Sequence, residues 1–527
     1  MEIDINDLAS IGAIADTEPF QLPPEAWTTA LNTRCLDGDI SSLLGWEQIF
    51  GTPGAAPHMA VPVSTNSANF WLYASLTKIF GYDGTTHTEV TRSSGGAYTA
   101  GATENWNYTV LGGIPILNSG SDVPQYWPTI ALATPMANLT NWPSTLRAKV
   151  VRSFGPFLIA GNITDSSVQY PHLIQWSHPA DPGAVPASWD YTDPTNDAGR
   201  KDLSDTNAGV LLDMQPLASA MYLYKENSVW RMTYVGGRFI WDFGQSAWLP
   251  STGLLAARCV AITGDGQRHV LATQDDIIWH NGNTVKSVLS GRQRRRLFNE
   301  IDTENFHTSF MFDNPIYREM WFCYPSSGMS YPDKALILNY SNPENFVITE
   351  VDGITFRNAV SGSIESPNEE LWSDGTDTWE EDTGAWSELL RRRVVLSSPS
   401  DTKLYNLDKT STRDGAAFTV TLQREGLALL GKKRNGDWIV DHQRVKMACR
   451  LWPKLTGGPI RIRLGAQQLV DGPIAWGEYV VFDPLTSITA DVPPISGRAV
   501  AIEFSTVNAV SWKLSGYKYD VVPLGQF

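Results

Sequence analysis

The side chains whose types and spacing come nearest to chemistry lie in GSIESPNEELWSDGTDTWEEDTGAW, residues 362–386. Asp374, Asp377 and Asp382, with Glu380 and Glu381, are hard oxygen donors of the kind that Ca2+ gathers in sets of roughly six to eight. The same stretch carries Trp372, Trp379 and Trp386, each seven residues from the next. A loop of this composition is equally a solvated excursion whose indoles pin it to neighbouring strands. We read it that way and expect no metal and no cofactor.

Two basic clusters interrupt the background: Arg292, Arg294, Arg295 and Arg296 in GRQRRRLF, and Arg391, Arg392 and Arg393 in LLRRRVV. A guanidinium meets phosphate or carboxylate with two parallel N–H donors. The formal net charge is −16, with 40 basic and 56 acidic residues, whereas a nucleic-acid clamp carries a basic face. The seven arginines are therefore candidate subunit contacts, with a solvated turn as the plain alternative. DNA can still slide past such a surface.

Other chemistries lack their residues. No G-x-S-x-G elbow occurs, and the eight histidines sit in unrelated contexts. His280, beside Trp279 in a predicted strand, reads as a core or surface residue. No P-loop and no G-x-G-x-x-G after a strand is present. A glycosidase needs two carboxylates facing across a cleft, and the chain supplies many without distinguishing a pair. We expect no enzyme. Cys35, Cys259, Cys323 and Cys449 are scattered and form no C-x-x-C, so they read as free thiols of a protein made in a reducing cytoplasm. The opening MEIDINDLAS lacks the apolar core of a secretion signal. No run of about 20 apolar residues marks a membrane span.

The elements that position these residues are short strands. With 20 Trp, 18 Tyr, 43 Gly and 32 Pro in 527 residues, the chain reads as many strands joined by tight turns. The best helix candidate is NDLASIGAIA, 6–15. NFWLYASLTKIFGYDGTTHTEVT, 69–91, alternates apolar and polar residues about a YDGT turn. Related runs follow at Ile116, Ile174, Leu223, Ile278, Ile337 and Leu404, counted from Ile79 at intervals of 37, 58, 49, 55, 59 and 67 residues. Repeats of roughly 40–50 residues built from four strands are the mark of propeller blades; six or seven fit here, with long loop insertions. Residues 178–208, rich in Pro, Asp and Asn, read as an exposed excursion. After about 411 the repeat stops, and AFTVTLQ, PIRIRLGAQQ, EYVVFD, RAVAIEFST and SWKLSGYKYDVV read as a compact β-sandwich. The expected fold is all-β: an N-terminal arm (1–55), a propeller (56–410) and a C-terminal sandwich (411–527).

FQLPPEAWTTALNTRCLDGDISSLLGWEQIFGTP, 20–53, is the most distinctive segment. Its LPPEAW…N-x-R…DG…GW…G order resembles the opening of the tail nozzle proteins of short-tailed, podovirus-like bacteriophages, also called tail hub or tail tubular protein B. The closing SWKLSGYKYDVVPLG resembles the last strand of that family. The resemblance implies a propeller flanked by a platform built from both chain ends. It implies a virion structural protein, without catalytic residues, made in the host cytoplasm. Six copies would ring the DNA exit channel below the head–tail adaptor and carry tail fibres or spikes, with viral DNA passing without sequence-specific contact. The alternative is a carbohydrate-binding or glycan-cleaving propeller, a receptor-binding protein or depolymerase.

Overall fold

The computed structural model describes residues 2–525 except 15–16, 66–67, 102–105, 207–208, 238, 246–250, 343–345, 365–391, 435–436 and 470–471. Nearly every element is a strand. Among the described residues, seven four-stranded antiparallel meanders follow one another. They span 59–89, 107–138, 146–202, 211–245, 260–287, 310–352 and 358–407. The seventh takes its fourth strand, Trp46–Ile49, from the N-terminal arm, pairing Leu407 with Trp46 and Leu404 with Ile49.

The inner strands are continuous apolar runs because both faces are covered. Ile114–Asn118, Ala220–Lys225 and Glu319–Tyr324 are buried at every position. An outer strand such as Trp241–Gln245 keeps only its first residue buried. Neighbouring meanders share apolar clusters. Met59 and Leu72 of the first pack with Trp106 and Trp127 of the second, and Ile159 and Ile174 of the third pack with Met214 and Met232 of the fourth. The seventh meets the first through Val395, Leu404, Trp71 and Tyr73. Trp127 and Trp321 are fully buried, and truncating either to Ala would cost about 3–5 kcal/mol.

The repeat positions each fall in a different meander, but not on equivalent strands. Ile79, Ile174, Ile278, Ile337 and Leu404 lie on third strands, whereas Ile116 and Leu223 lie on second strands. Both inner strands carry the same apolar run, so hydrophobicity alone slides between them.

Beyond the meanders, two sheets face each other. One contains Thr33–Leu36, Asp39–Ser42, Trp512–Gly525, Val445–Gly457 and Ile495–Gly497, with Glu2–Asn6 also paired to Trp512–Gly525. The other joins Thr421–Leu427, Ala499–Thr506 and Ile460–Gln467. Their shared core includes Trp27, Ile40, Leu451, Ile502, Phe504, Leu514 and Tyr519. Strand Thr29–Leu31 pairs antiparallel with Thr421–Leu427 and parallel with the sixth meander, Leu31 opposite Glu350. That strand makes the sixth meander and the second sheet one continuous sheet.

Two expectations need correction. The helix expected over 6–15 does not form among its described residues, 6–14: Asp7 and Gly12 have φ of 59° and 75°. Ala13 N–H donates to Ile348 O at 3.0 Å and Ile14 N–H to Trp27 O at 2.8 Å, so sheet partners claim the amides a helix would use. A Cβ on Gly12 would sit 2.9 Å from Ile348 O. The α-helix among the described residues is Gly291–Glu300, capped by Ser290 and Gln293 in a reciprocal box. The segment 178–208 is not wholly exposed either. Trp189 is 2% exposed and packs edge-on against Trp142 with centroids 4.6 Å apart.

The arm is locked to the meanders by a buried charge cluster. Arg34 donates to both Glu319 oxygens at 2.7 and 2.9 Å and to both Asp408 oxygens at 3.0 Å. Replacing Arg34 with Met strands two buried carboxylates, so unfolding free energy should fall by about 3–5 kcal/mol. A urea titration followed by tryptophan fluorescence measures it; a change below about 1 kcal/mol would mean the cluster is not holding the arm.

Candidate functional site

The candidate subunit-contact arginines lie on two separate elements. Arg292, Arg294, Arg295 and Arg296 ride the helix Gly291–Glu300, whose one buried residue is Leu297. Helical geometry spreads them around the cylinder. Arg294 Nη1 reaches Asp276 Oδ2 of the fifth meander at 3.1 Å. Burial raises the Asp276 carboxyl above its ordinary value, although Ser287 Oγ, the Arg294 guanidinium and Ile277 N–H donate to it. Arg296 meets Glu350 of the sixth meander with two contacts, at 3.0 and 3.1 Å. Both pairs are partly solvated, so each contributes about 0–1 kcal/mol. Two of the four guanidinia thus hold the helix against neighbouring meanders. Arg292 and Arg295 lie on its exposed side.

Arg392 and Arg393 open the strand Arg392–Ser398 of the seventh meander, opposite Ser363 and Gly362. Arg392 is exposed and Arg393 half-buried. Burial pushes the Tyr317 phenol up, against the charges of Arg34 and Arg393. Arg391 lies outside the described residues, as do Asp374, Asp377, Glu380, Glu381 and Asp382. Among the described residues, no group of three His, Cys, Asp or Glu side chains is arranged to hold a metal. Cys35, Cys259 and Cys323 are buried and Cys449 half-buried, all four as free thiols. No helix is long and apolar enough to cross a membrane among the described residues.

No protein-family model and no curated protein matches the chain. Two solved bacterial proteins are similar in structure. One is the extracellular domain of a one component system of B. thetaiotaomicron, 11% identical, with 55% of this chain and 39% of that one covered and a TM-score of 0.29. The other is PorZ, a surface component of the type-IX secretion system of Porphyromonas gingivalis, 10% identical, with 84% and 48% covered and a TM-score of 0.35. The chain spans less than half the length of either. Neither likeness is close enough to carry an argument about what this chain does.

Two features escaped sequence reading. Asp313, on the first strand of the sixth meander, accepts a 2.7 Å bond from Tyr340 Oη, and burial pushes its carboxyl up to about 7. His280 belongs to a buried relay between the fourth and fifth meanders. His269 Nε2–H donates to Pro216 O at 3.0 Å, which leaves Nδ1 to accept from Tyr224 O–H at 2.6 Å. Tyr224 then accepts from His280 Nε2–H at 2.7 Å, and His280 Nδ1 accepts from Gly282 N–H at 3.2 Å. Every proton has one place, and both imidazoles are neutral. The pair pins two meanders together; it has no open position from which to act as a general base.

Burial drives His269 down to about 4, and burial, with repulsion from His269 once that ring is protonated, drives His280 down to about 3. Both folded values lie below the unfolded one, so their stabilisation is complete above about pH 6.5 and is lost as pH falls toward 4 and then 3. Each contributes a slope of about 1.4 kcal/mol per pH unit in that window. Stability measured from pH 7 to 4.5 should fall more steeply in the native protein than in His269→Gln. Equal slopes would show that the relay is not neutral.

Proposed function

We propose that the chain is a virion structural protein, the nozzle of a short phage tail, with no catalytic residue. In this reading the seven meanders are the blades of one seven-bladed β-propeller over residues 56–410, closed by Trp46–Ile49. Residues 411–527 and the arm 1–55 form the platform. Six copies make a ring below the head–tail adaptor, enclose the DNA exit channel and carry fibres or spikes. The protein is made in the host cytoplasm and resides in the virion.

The observation that carries the reading is that the two family-like chain ends fold against each other. Trp27, from LPPEAW, is 1% exposed and lies 6.0 Å from Tyr517, from the closing strand. Arg424 fastens the Pro-rich entry, donating to Pro19 O at 2.9 Å, Leu22 O at 2.9 Å and Pro23 O at 3.2 Å. A formal net charge of −16 per copy suits a channel from which DNA must slip, because cationic contacts are what create non-specific affinity.

The purified protein should form six-fold rings on portal–adaptor complexes at low salt, seen by negative-stain imaging, and the rings should fade as salt rises. Arg295 and Arg392 are exposed, so Arg295→Glu with Arg392→Glu should weaken assembly further. Rings of another symmetry, or no binding at low salt, would overturn the nozzle reading. Unchanged rings from the double variant would overturn only the role given to these arginines.

A further inference from the structure

The third meander carries a cleft of about 480 Å3 that the nozzle reading does not use. It opens where the insertion after strand Val168–Trp176 folds back over that strand and its neighbour Gly199–Asp202. Its size falls within the roughly 300–1,000 Å3 of small-ligand sites.

The walls are held in place from below. Trp189 is wedged against Trp142, and its carbonyl accepts from Gln175 Nε2 at 2.8 Å. Gln175, itself 1% exposed, accepts from Arg200 Nε at 2.8 Å through Oε1. Arg200 Nη2 donates to Asp165 Oδ2 at 2.8 Å, and Thr145 Oγ1 donates to Asp165 Oδ1 at 2.9 Å. The insertion itself is braced by Asp190, whose Oδ1 accepts from Thr192 N and Oγ1 at 2.9 and 2.7 Å. These bonds fix the polar groups before any ligand arrives, and pre-organisation of this kind lowers the cost of binding.

What remains open in the cleft has a definite chemistry. Arg200 has Nε bonded to Gln175 and Nη2 to Asp165, leaving the Nη1 hydrogens to donate to a ligand oxygen. Asp165 Oδ1 also accepts from Ser166 Oγ at 3.3 Å, so the lone pair left to accept from a hydroxyl is on Oδ2, beside the Arg200 bond. The Arg200 guanidinium lies 4.1 Å from the Tyr191 ring centroid, and Tyr191 remains 46% exposed. Donors and acceptors therefore alternate beside an aromatic ring. The ionised side chains are Asp165, Asp190 and Arg200, whose charges sum to an excess of one negative. An anionic ligand is disfavoured by that excess, and a purely apolar one by the polar lining.

We infer that this cleft binds a neutral saccharide, its vicinal hydroxyls on Arg200 and Asp165 and its apolar C–H face on Tyr191. The inference stands apart from the nozzle reading, since it rests only on the third meander.

The test is calorimetric titration of the full chain with glucose, galactose, mannose, rhamnose, N-acetylglucosamine and their common disaccharides. N-acetylneuraminate and galacturonate serve as anionic comparators. At least one neutral sugar should bind with a Kd at or below about 1 mM and more tightly than either acid. Tyr191→Ala, an exposed position, should weaken that binding at least tenfold while the melting temperature stays within about 2 °C. Arg200→Gln should abolish it. No neutral sugar bound, tighter binding of the acids, or full binding by Tyr191→Ala would each overturn the assignment.

Discussion

One guanidinium holds three parts of this molecule together. Arg34 comes from the arm, Glu319 from the second strand of the sixth meander, and Asp408 from the residue just after the seventh. Asn314 Nδ2 donates to Asp408 Oδ2 at 2.8 Å, and the Arg34 guanidinium lies 3.7 Å from the Tyr317 ring centroid. Burial alone would lower the Arg34 pKa, but Asp408 and Glu319 push it above its ordinary value, so the cation stays charged in the interior. Only an arginine presents enough fixed donors to serve two carboxylates at once. A lysine at this position would leave lone pairs unmatched in a low-dielectric site, where an unmade bond is most costly.

The same solution recurs where other cations are buried. Lys446 is fully buried and donates to Arg444 O at 3.0 Å, Arg498 O at 2.7 Å and Asp441 O, and burial takes its pKa down to about 8. Arg424 spends its donors on the carbonyls of the Pro-rich entry. Pro19 O accepts in addition from Leu22 N–H at 3.4 Å, and the cation supplies the donors that no strand offers these carbonyls. In a chain whose surface is acidic, buried cations act as the joints between segments far apart in sequence.

The all-β character and the recurrence of strand sets were legible in the residues, because apolar runs bounded by Gly, Asn and Asp repeat wherever two faces must be covered. The register within each set was not, since second and third strands bury alike: Ile116 and Ile79 occupy the same chemistry on different strands. GWEQIF could not be assigned to the seventh meander, whose remaining strands lie more than 300 residues later, because strand pairing across such a distance leaves no local mark. The arginine run in GRQRRRLF hid a helix, since only Leu297 needed to be apolar for one face to bury. The cleft of the third meander was invisible for a related reason. Its residues, from Asn141 to Arg200, acquire their arrangement only when the insertion folds back.

The strand Trp46–Ile49 imposes an order on synthesis. A ribosome releases this segment early, yet its pairing partner, Lys403–Leu407, emerges about 360 residues later, or roughly 20–70 s at 5–20 residues per second. Through that interval Trp46, destined to be 3% exposed, has no sheet to enter. The arm must wait in the nascent chain, and the final closure is the formation of contacts of very large sequence separation, the slowest class of folding event. Translation thus stages assembly, with the meanders accumulating in order, the seventh sheet completed only once Lys403–Leu407 has emerged and the facing sheets only once Trp512–Gly525 has.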